Sequence, residues 1–234
     1  MKILCVFAHP DDESFSSGGT IAKYVKSGAV VKLISATKGE KGSVGQPPLC
    51  TQAELGAVRE KELTCAAEIL GISEIFFLDY IDGQLEQISV EKISQKIRFI
   101  LDKEKPDIVI TFNKEGNSRH PDHKQINKAA TLAFSHYIKT QTKHVRLYYA
   151  DTPKSLLRKL EEIGTIYTAF GKIEGTADSQ ITTIIDVSET IEQKVKAFQC
   201  HKTQHKDWER FLKRKNLPEF RNEYFTLISE KKLL

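Results

Sequence analysis

The chain opens on an uninterrupted apolar run, Lys2 to Ala8, and then changes to a helical spacing in which Ile21, Ala22 and Val25 of the segment Gly19 to Lys26 share one side. A strand is followed by a helix. The same alternation predicts strands over Val30 to Ala36, Ile75 to Leu78 and Asp107 to Phe112, and helices over Ala53 to Leu70, Val90 to Lys103 and Gln125 to Tyr137. Strands that are apolar on both faces need cover on both, so the pattern predicts a doubly wound, Rossmann-like α/β sheet, mostly parallel, over residues 1 to about 150. Strands over Val145 to Ala150 and Thr182 to Val187 and a helix over Glu189 to His201 are expected to follow, with a C-terminal helical extension packed on the same domain. Thr168 to Ser179, rich in small and polar residues, reads as a loop that either overhangs a site or merely connects elements.

A chain of 234 residues with 40% hydrophobic content buries one sizeable core, and a single domain spanning residues 1–234 is expected. The longest apolar runs fall far short of the roughly 18 residues that a membrane span needs. Met1 and Lys2 lead directly into a strand, so a cytoplasmic protein without a membrane span is expected. The net charge of +4 sits entirely in residues 201–234, where nine Lys/Arg face five Asp/Glu. A helix-prone, solvated face is the simpler account of that tail, and the lack of a stacking pattern of aromatic and basic residues argues against a nucleic-acid partner. Cys5, Cys50, Cys65 and Cys200 have neither metal-ligand spacing nor the density of a disulfide framework, so free thiols in a reducing compartment are expected. A homo-oligomer is expected, although no residue pattern fixes it.

Ligands of an open doubly wound sheet bind beyond the carboxyl ends of its strands, where the strand order reverses. If the order is 3-2-1-4, that crevice lies between strands 1 and 4. His9-Pro10-Asp11-Asp12-Glu13 follows the first, and His120-Pro121-Asp122-His123 lies seven residues beyond the fourth. His and Asp supply the nitrogen and oxygen donors that zinc accepts, and a catalytic zinc needs only three of them. The two clusters hold more, which leaves groups for proton transfer. Singly they are weak signals, because Asp11 or Asp12 could cap a helix and Pro10 could serve a turn. Gly18 and Gly19 come too late for a dinucleotide fingerprint and no phosphate loop is present, so no nucleotide cofactor is expected.

At these residues the sequence resembles the LmbE-like, or PIG-L, family of zinc deacetylases, over most of its length. The opening motif stands as Ala8-His9-Pro10-Asp11-Asp12-Glu13 with Gly18-Gly19-Thr20-Ile21-Ala22, and the second as His120-Pro121-Asp122-His123. Supporting matches are Thr37-Lys38-Gly39-Glu40, Arg59 with Glu62, Leu70-Gly71, Asp82-Gly83 before Leu85, and His201 with Gln204. The resemblance implies one zinc ion per chain on His9, Asp12 and His123, with other divalent metals accepted by the same donors. It implies Asp11 as general base and a protonated His120 beside the transition state. The implied reaction removes the acetyl group from an N-acetylglucosamine conjugate, a small-molecule amino-sugar substrate.

Arg59 reads either as an exposed partner of Glu62 or Glu54 or as a contact to sugar or phosphate. Asp82, with Asp79 as its competitor, and more weakly Glu40, are candidate substrate contacts. His201 either orients a metal-site group or is a satisfied structural histidine. The charged stretch Asn113 to Arg119 matches no subfamily pattern, so the aglycone stays open. The alternatives are a non-catalytic sugar or nucleotide-sugar binder on the same fold, and an amidase acting on a thiol conjugate.

Overall fold

Strand and helix alternate as the apolar periodicity predicts. The computed structural model describes residues 1–166 and 169–232. The elements are β1 (Lys2–Phe7), α1 (Asp12–Lys26), β2 (Val30–Ser35), α2 (Leu55–Leu70), β3 (Glu74–Phe77), α3 (Val90–Glu104), β4 (Ile108–Phe112), α4 (Gly116–Arg119) and α5 (Pro121–Thr140). They continue through β5 (Val145–Asp151), α6 (Lys154–Glu162), β6 (Thr183–Asp186), α7 (Ile191–Cys200), α8 (His205–Leu212) and β7 (Asn222–Lys231). One sheet takes the order β3-β2-β1-β4-β5-β7-β6, so the 3-2-1-4 arrangement holds. The first five strands in that order are parallel and β7 runs antiparallel to both of its neighbours.

The central strands are buried on both faces: every residue of β4 and all of β1 after Lys2 are withdrawn from solvent. Phe7 and Phe112 meet edge to face with centroids 5.0 Å apart, and Phe134 and Tyr137 of α5 fill the layer beside them. Ser89 caps α3 by accepting the Lys92 amide, and the αL backbone of Lys105 ends it.

Three expectations change. The first helix starts at Asp12 and not at Gly19, with a break at Ser17 that periodicity does not see. The tail is helical only in part: α8 is followed by β7, whose Tyr224, Phe225, Thr226 and Leu227 are strand formers that complete the sheet between β5 and β6. The expectation of four free thiols is also corrected, because Cys65 of α2 and Cys200 at the end of α7 form a disulfide. They are 135 residues apart in sequence, and only the packing of α2 on α7 brings their Cα atoms to 5.8 Å. The thiol inventory therefore gives no support for a reducing compartment. Of the expected loop 168–179, Thr168 lies outside the described residues, while Phe170 reaches the His120 ring and Thr176 bonds Asp151. Among the described residues no helix is long and apolar enough to cross a membrane. Alkylation of the unfolded protein without reductant should label two cysteines, Cys5 and Cys50; labelling of all four would rule out the cross-link.

Candidate active site

β1 and β4 are parallel neighbours, with Ile3 opposite Ile108 and Val6 opposite Thr111, so their carboxyl ends finish level. Each is followed by one of the two His/Asp segments. His9 Nδ1 and His123 Nε2 are 3.1 Å apart, His123 Nε2 and Asp12 Oδ1 3.3 Å, and His9 Nδ1 and Asp12 Oδ2 3.5 Å. Donors held about 2.0–2.2 Å from a tetrahedral zinc stand roughly 3.3–3.6 Å from one another. The separations are of that order, with Asp12 meeting the two histidines through different oxygens. His120 also brings a ring nitrogen within 4.8 Å of those of His9 and His123.

The far nitrogens are held as metal-binding histidines usually are. His9 Nε2 faces Asp82 Oδ1 at 3.0 Å and Asp122 Oδ2 at 3.2 Å, while His123 Nδ1 faces the Gly116 carbonyl at 2.9 Å. The His123 ring lies flat on Phe112, 5° from parallel. His9, Asp82 and Asp122 form a second donor group, but Asp122 already accepts the Gly83 and Leu85 amides and Asp82 accepts that of Lys41. Those carboxylates fasten the loop after β3 and aim His9. Gly116 has φ +69°, and a Cβ there would stand 2.7 Å from His123 Cβ. The charged stretch that matched no pattern is thus the turn that brings a carbonyl up to His123.

Asp11 occupies a left-handed conformation at φ 106° and makes no side-chain capping bond, which removes its bland reading as a helix cap. Such a backbone is costly for a residue other than glycine and persists where its surroundings impose it. Here Glu13 Oε2 accepts the Asp11 amide at 3.0 Å, and Arg59 Nη2 reaches both the Pro10 carbonyl and Asp11 Oδ2, the latter at 3.1 Å. His201 Nε2 in turn meets Glu13 Oε1 at 3.0 Å, so this histidine orients a group next to the donor set. Burial pushes the Asp11 carboxyl up to about 7, against Arg59, with Asp12 adding to the rise. Burial would raise Asp12 as well, but His123 and His9 hold it at about 2. Burial and His9 lower His120. His120 Nδ1 accepts the Asp122 amide at 3.2 Å, which leaves Nε2 as the donor of a neutral ring. The imidazolium implied by the resemblance is not the form this hydrogen bond favours.

Arg59 is not an exposed ion-pairing residue: it is 4% exposed, and Glu62 instead accepts the amide and hydroxyl of Thr203. Close approach by Gly39 and Gly42 makes room for its guanidinium. Arg59 and Asp82 line a cleft of about 500 Å³ that contains His9, Asp11 and His120, although their polar atoms are largely engaged within the frame of the site. Glu40 does not line the cleft and supports Asp82 by accepting its amide at 2.9 Å. Asp79 is exposed and stands outside. The C-terminal region supplies a wall with Asp207, Arg210, Phe211 and Arg214, which no motif announced.

The break in α1 is braced from the same region. Glu223 of β7 accepts the Gly19 amide at 2.9 Å and that of Thr20 at 2.7 Å, which are the first amides beyond the irregular Ser17 and Gly18. Lys194 of α7 neutralises Glu223 and donates to the Phe15 carbonyl at 3.2 Å. A Cβ on Gly19 would stand 2.6 Å from Val187 Cβ. The Gly18-Gly19-Thr20 motif therefore seats the C-terminal elements against α1.

A doubly wound sheet with a His/Asp donor set at its switch point, beside a separate carboxylate and imidazole, has the architecture of a hydrolase. Residues 4–134, more than half the chain, match the PIG-L family, described as GlcNAc-PI de-N-acetylase, and the chain belongs to that family. It is 30% identical over 237 residues to a 1D-myo-inositol 2-acetamido-2-deoxy-alpha-D-glucopyranoside deacetylase of Thermobifida fusca, covering 87% of this chain and 83% of the relative. Among solved structures it resembles the N,N'-diacetylchitobiose deacetylase from Pyrococcus horikoshii, with a TM-score of 0.71 at 23% identity over 97% of this chain and 83% of that one. It also resembles GalB, the 4-carboxy-2-hydroxymuconate hydratase from Pseudomonas putida, at TM-score 0.71 and 20% identity over 98% and 97%. The fold alone therefore does not select a reaction.

Replacing Glu223 by Ala leaves Lys194 buried without its counter-charge and should cost about 3–5 kcal/mol in urea unfolding, with the double change Glu223→Gln, Lys194→Met costing much less. An unchanged midpoint for Glu223→Ala would show the pair to be dispensable. Gly116→Ala should weaken divalent-metal affinity by about 10–100-fold, because it displaces the carbonyl that orients His123; competition with a chelator of known affinity measures this, and a wild-type value would refute that role.

Proposed function

We propose that the protein is a zinc-dependent N-deacetylase that hydrolyses the acetamido group of an N-acetylglucosamine conjugate. The observation that carries this reading is the spacing of 3.1–3.5 Å among one nitrogen each of His9 and His123 and the oxygens of Asp12, with the opposite nitrogens anchored on Asp82, Asp122 and Gly116. His9, Asp12 and His123 would hold the cation, which supplies Lewis acidity toward the amide carbonyl and lowers the pKa of water to about 7.

Within the protein, Asp11 is the proton carrier. Its carboxyl faces the cleft and is steadied by Arg59, which leaves it placed to take a proton from the attacking water and return it to the amide nitrogen as the C–N bond breaks. Acetate and a free amine result. His120 donates through Nε2 to the oxygen that gains charge as the carbonyl becomes tetrahedral, and losing such a donor typically costs about 10²-fold or more in rate. The ring is aimed by the Asp122 amide and touches Phe170 on its outer side. The relatives named above supply the sugar: both deacetylases act on an acetamido sugar by their names. Because a hydratase shares the fold, the reading rests on the site and the family, not on the fold.

Protein purified without chelators should carry one divalent metal per chain by elemental analysis and release acetate from N-acetylglucosamine conjugates. Asp11→Asn should retain the metal and lose at least about 10²-fold in kcat. A metal-free preparation that gains no activity with added zinc would end this proposal, and unchanged turnover in Asp11→Asn would end the role given to that residue.

A further inference from the structure

The cleft carries an electrostatic feature that amide hydrolysis does not use. Arg214, just beyond α8, lines the same cleft as His9 and Asp11. Its Nη2 donates to the Thr165 carbonyl at 3.0 Å and its guanidinium lies over the Phe211 ring at 5.1 Å, while its Nε is shielded from solvent and has no hydrogen-bond partner among the described residues. The charge felt beside it is another cation, Arg210, four residues earlier, which pairs with Asp207 at 3.2 Å and lines the cleft as well. Burial and Arg210 together lower the Arg214 pKa to about 10. Thr165 offers a neutral oxygen, which does not offset the charge.

A guanidinium partly withdrawn from water beside a like charge is strongly unfavourable unless an anion completes the arrangement. Its planar fork of donors matches a carboxylate or a phosphate, and hydrogen bonds between ionised partners are roughly twice as strong as neutral ones. We infer that Arg214, with Arg210 beside it, forms a subsite for an oxyanion, a carboxylate or a phosphate, carried on the half of the conjugate that is not the acetamido sugar. The inference rests on the deacetylase reading for the sugar half only. A purely structural Arg214 would fasten Thr165 and would not distinguish acidic from neutral ligands.

The test compares kcat/KM for acetate release by the zinc-loaded enzyme on three substrates that share N-acetylglucosamine: its methyl glycoside, its glycoside with glycolic acid, and its 1-phosphate. The wild type should prefer at least one acidic substrate over the methyl glycoside by tenfold or more, chiefly through KM, because the contact is made equally in ground and transition states. The stronger acidic arm identifies the oxyanion. Arg214→Gln, which keeps a donor for Thr165, should lower that preference at least tenfold. Equal use of all three substrates by the wild type, or a variant that loses the same factor on all of them, overturns the subsite. If none releases acetate, the deacetylase reading fails separately, and calorimetric titration with glucosamine 1-phosphate and glucosamine decides: tighter phosphate binding that Arg214→Gln abolishes upholds the subsite, and equal binding overturns it. Should Arg214→Gln not fold, Arg210→Gln takes its place, with at least a threefold fall in the same preference expected and no fall overturning the inference.

Discussion

Two parallel strands that end side by side are the constraint on which the candidate centre depends. β1 and β4 share a register, and the sheet leaves both segments beyond the carboxyl ends of adjacent strands. His9 and Asp12 then need only a tight turn to face the same point, and Asp11 is forced into a left-handed conformation by that turn. The second segment reaches the point by a different route, through the turn at 113–115, the short kinked α4 and the first turn of α5. Moving either strand by one place in the order would separate His9 from His123 by about the spacing of two strands, roughly 9–10 Å, instead of one.

Around this adjacency the chain is closed by parts that are remote in sequence. Glu223 lies 204 residues from Gly19, yet its carboxylate serves the amides where α1 resumes after its break. His201 lies 188 residues from Glu13, and Glu62 lies 141 from Thr203. Each bond ties the C-terminal third to an element carrying Asp11, Asp12 or Arg59. That third is therefore part of the framework of the site as well as its wall. The disulfide between Cys65 and Cys200 follows the same line, since α2 carries Arg59 and α7 leads into His201.

What could be read from the sequence was what depends on short-range pattern. Apolar runs revealed β1, β2, β3 and β4, and motifs a few residues long pointed to His9, Asp12, His120 and His123, because candidate donors that leave one strand end are neighbours in the chain. The strand order had to be assumed, and it holds. Contacts across the fold were not readable. β7 was hidden because Glu223, Glu230 and Lys231 break its apolar pattern, although Glu223 is itself buried. Arg59 read either as a surface ion pair or as a substrate contact, because nothing local shows that Gly39 and Gly42 make a pocket for its guanidinium. The choice between Asp79 and Asp82 turned on which faces inward: Asp79 is exposed, and Asp82 meets His9.

The charge distribution links the centre to the far wall of the cleft. Asp12, Glu13, Asp82 and Asp122 are buried around the donor set with Asp11 beside them, while Arg59 is the fixed cation among them. Like charges confined in a medium of low dielectric repel strongly, and the field they create favours any cation placed at its focus. His9 registers that field: burial alone would lower its pKa, yet hydrogen bonds that its ring donates to Asp12, Asp122 and Asp82 carry it well above the ordinary value. The same field that favours a divalent ion would discourage an acidic ligand entering the cleft. Arg210 and Arg214, on the C-terminal wall of the same cleft, would offset it for the acidic half of such a ligand. A neutral ligand would make no use of Arg214, which has no carboxylate partner among the described residues, and this is the physical reason for assigning the wall a part in choosing the substrate.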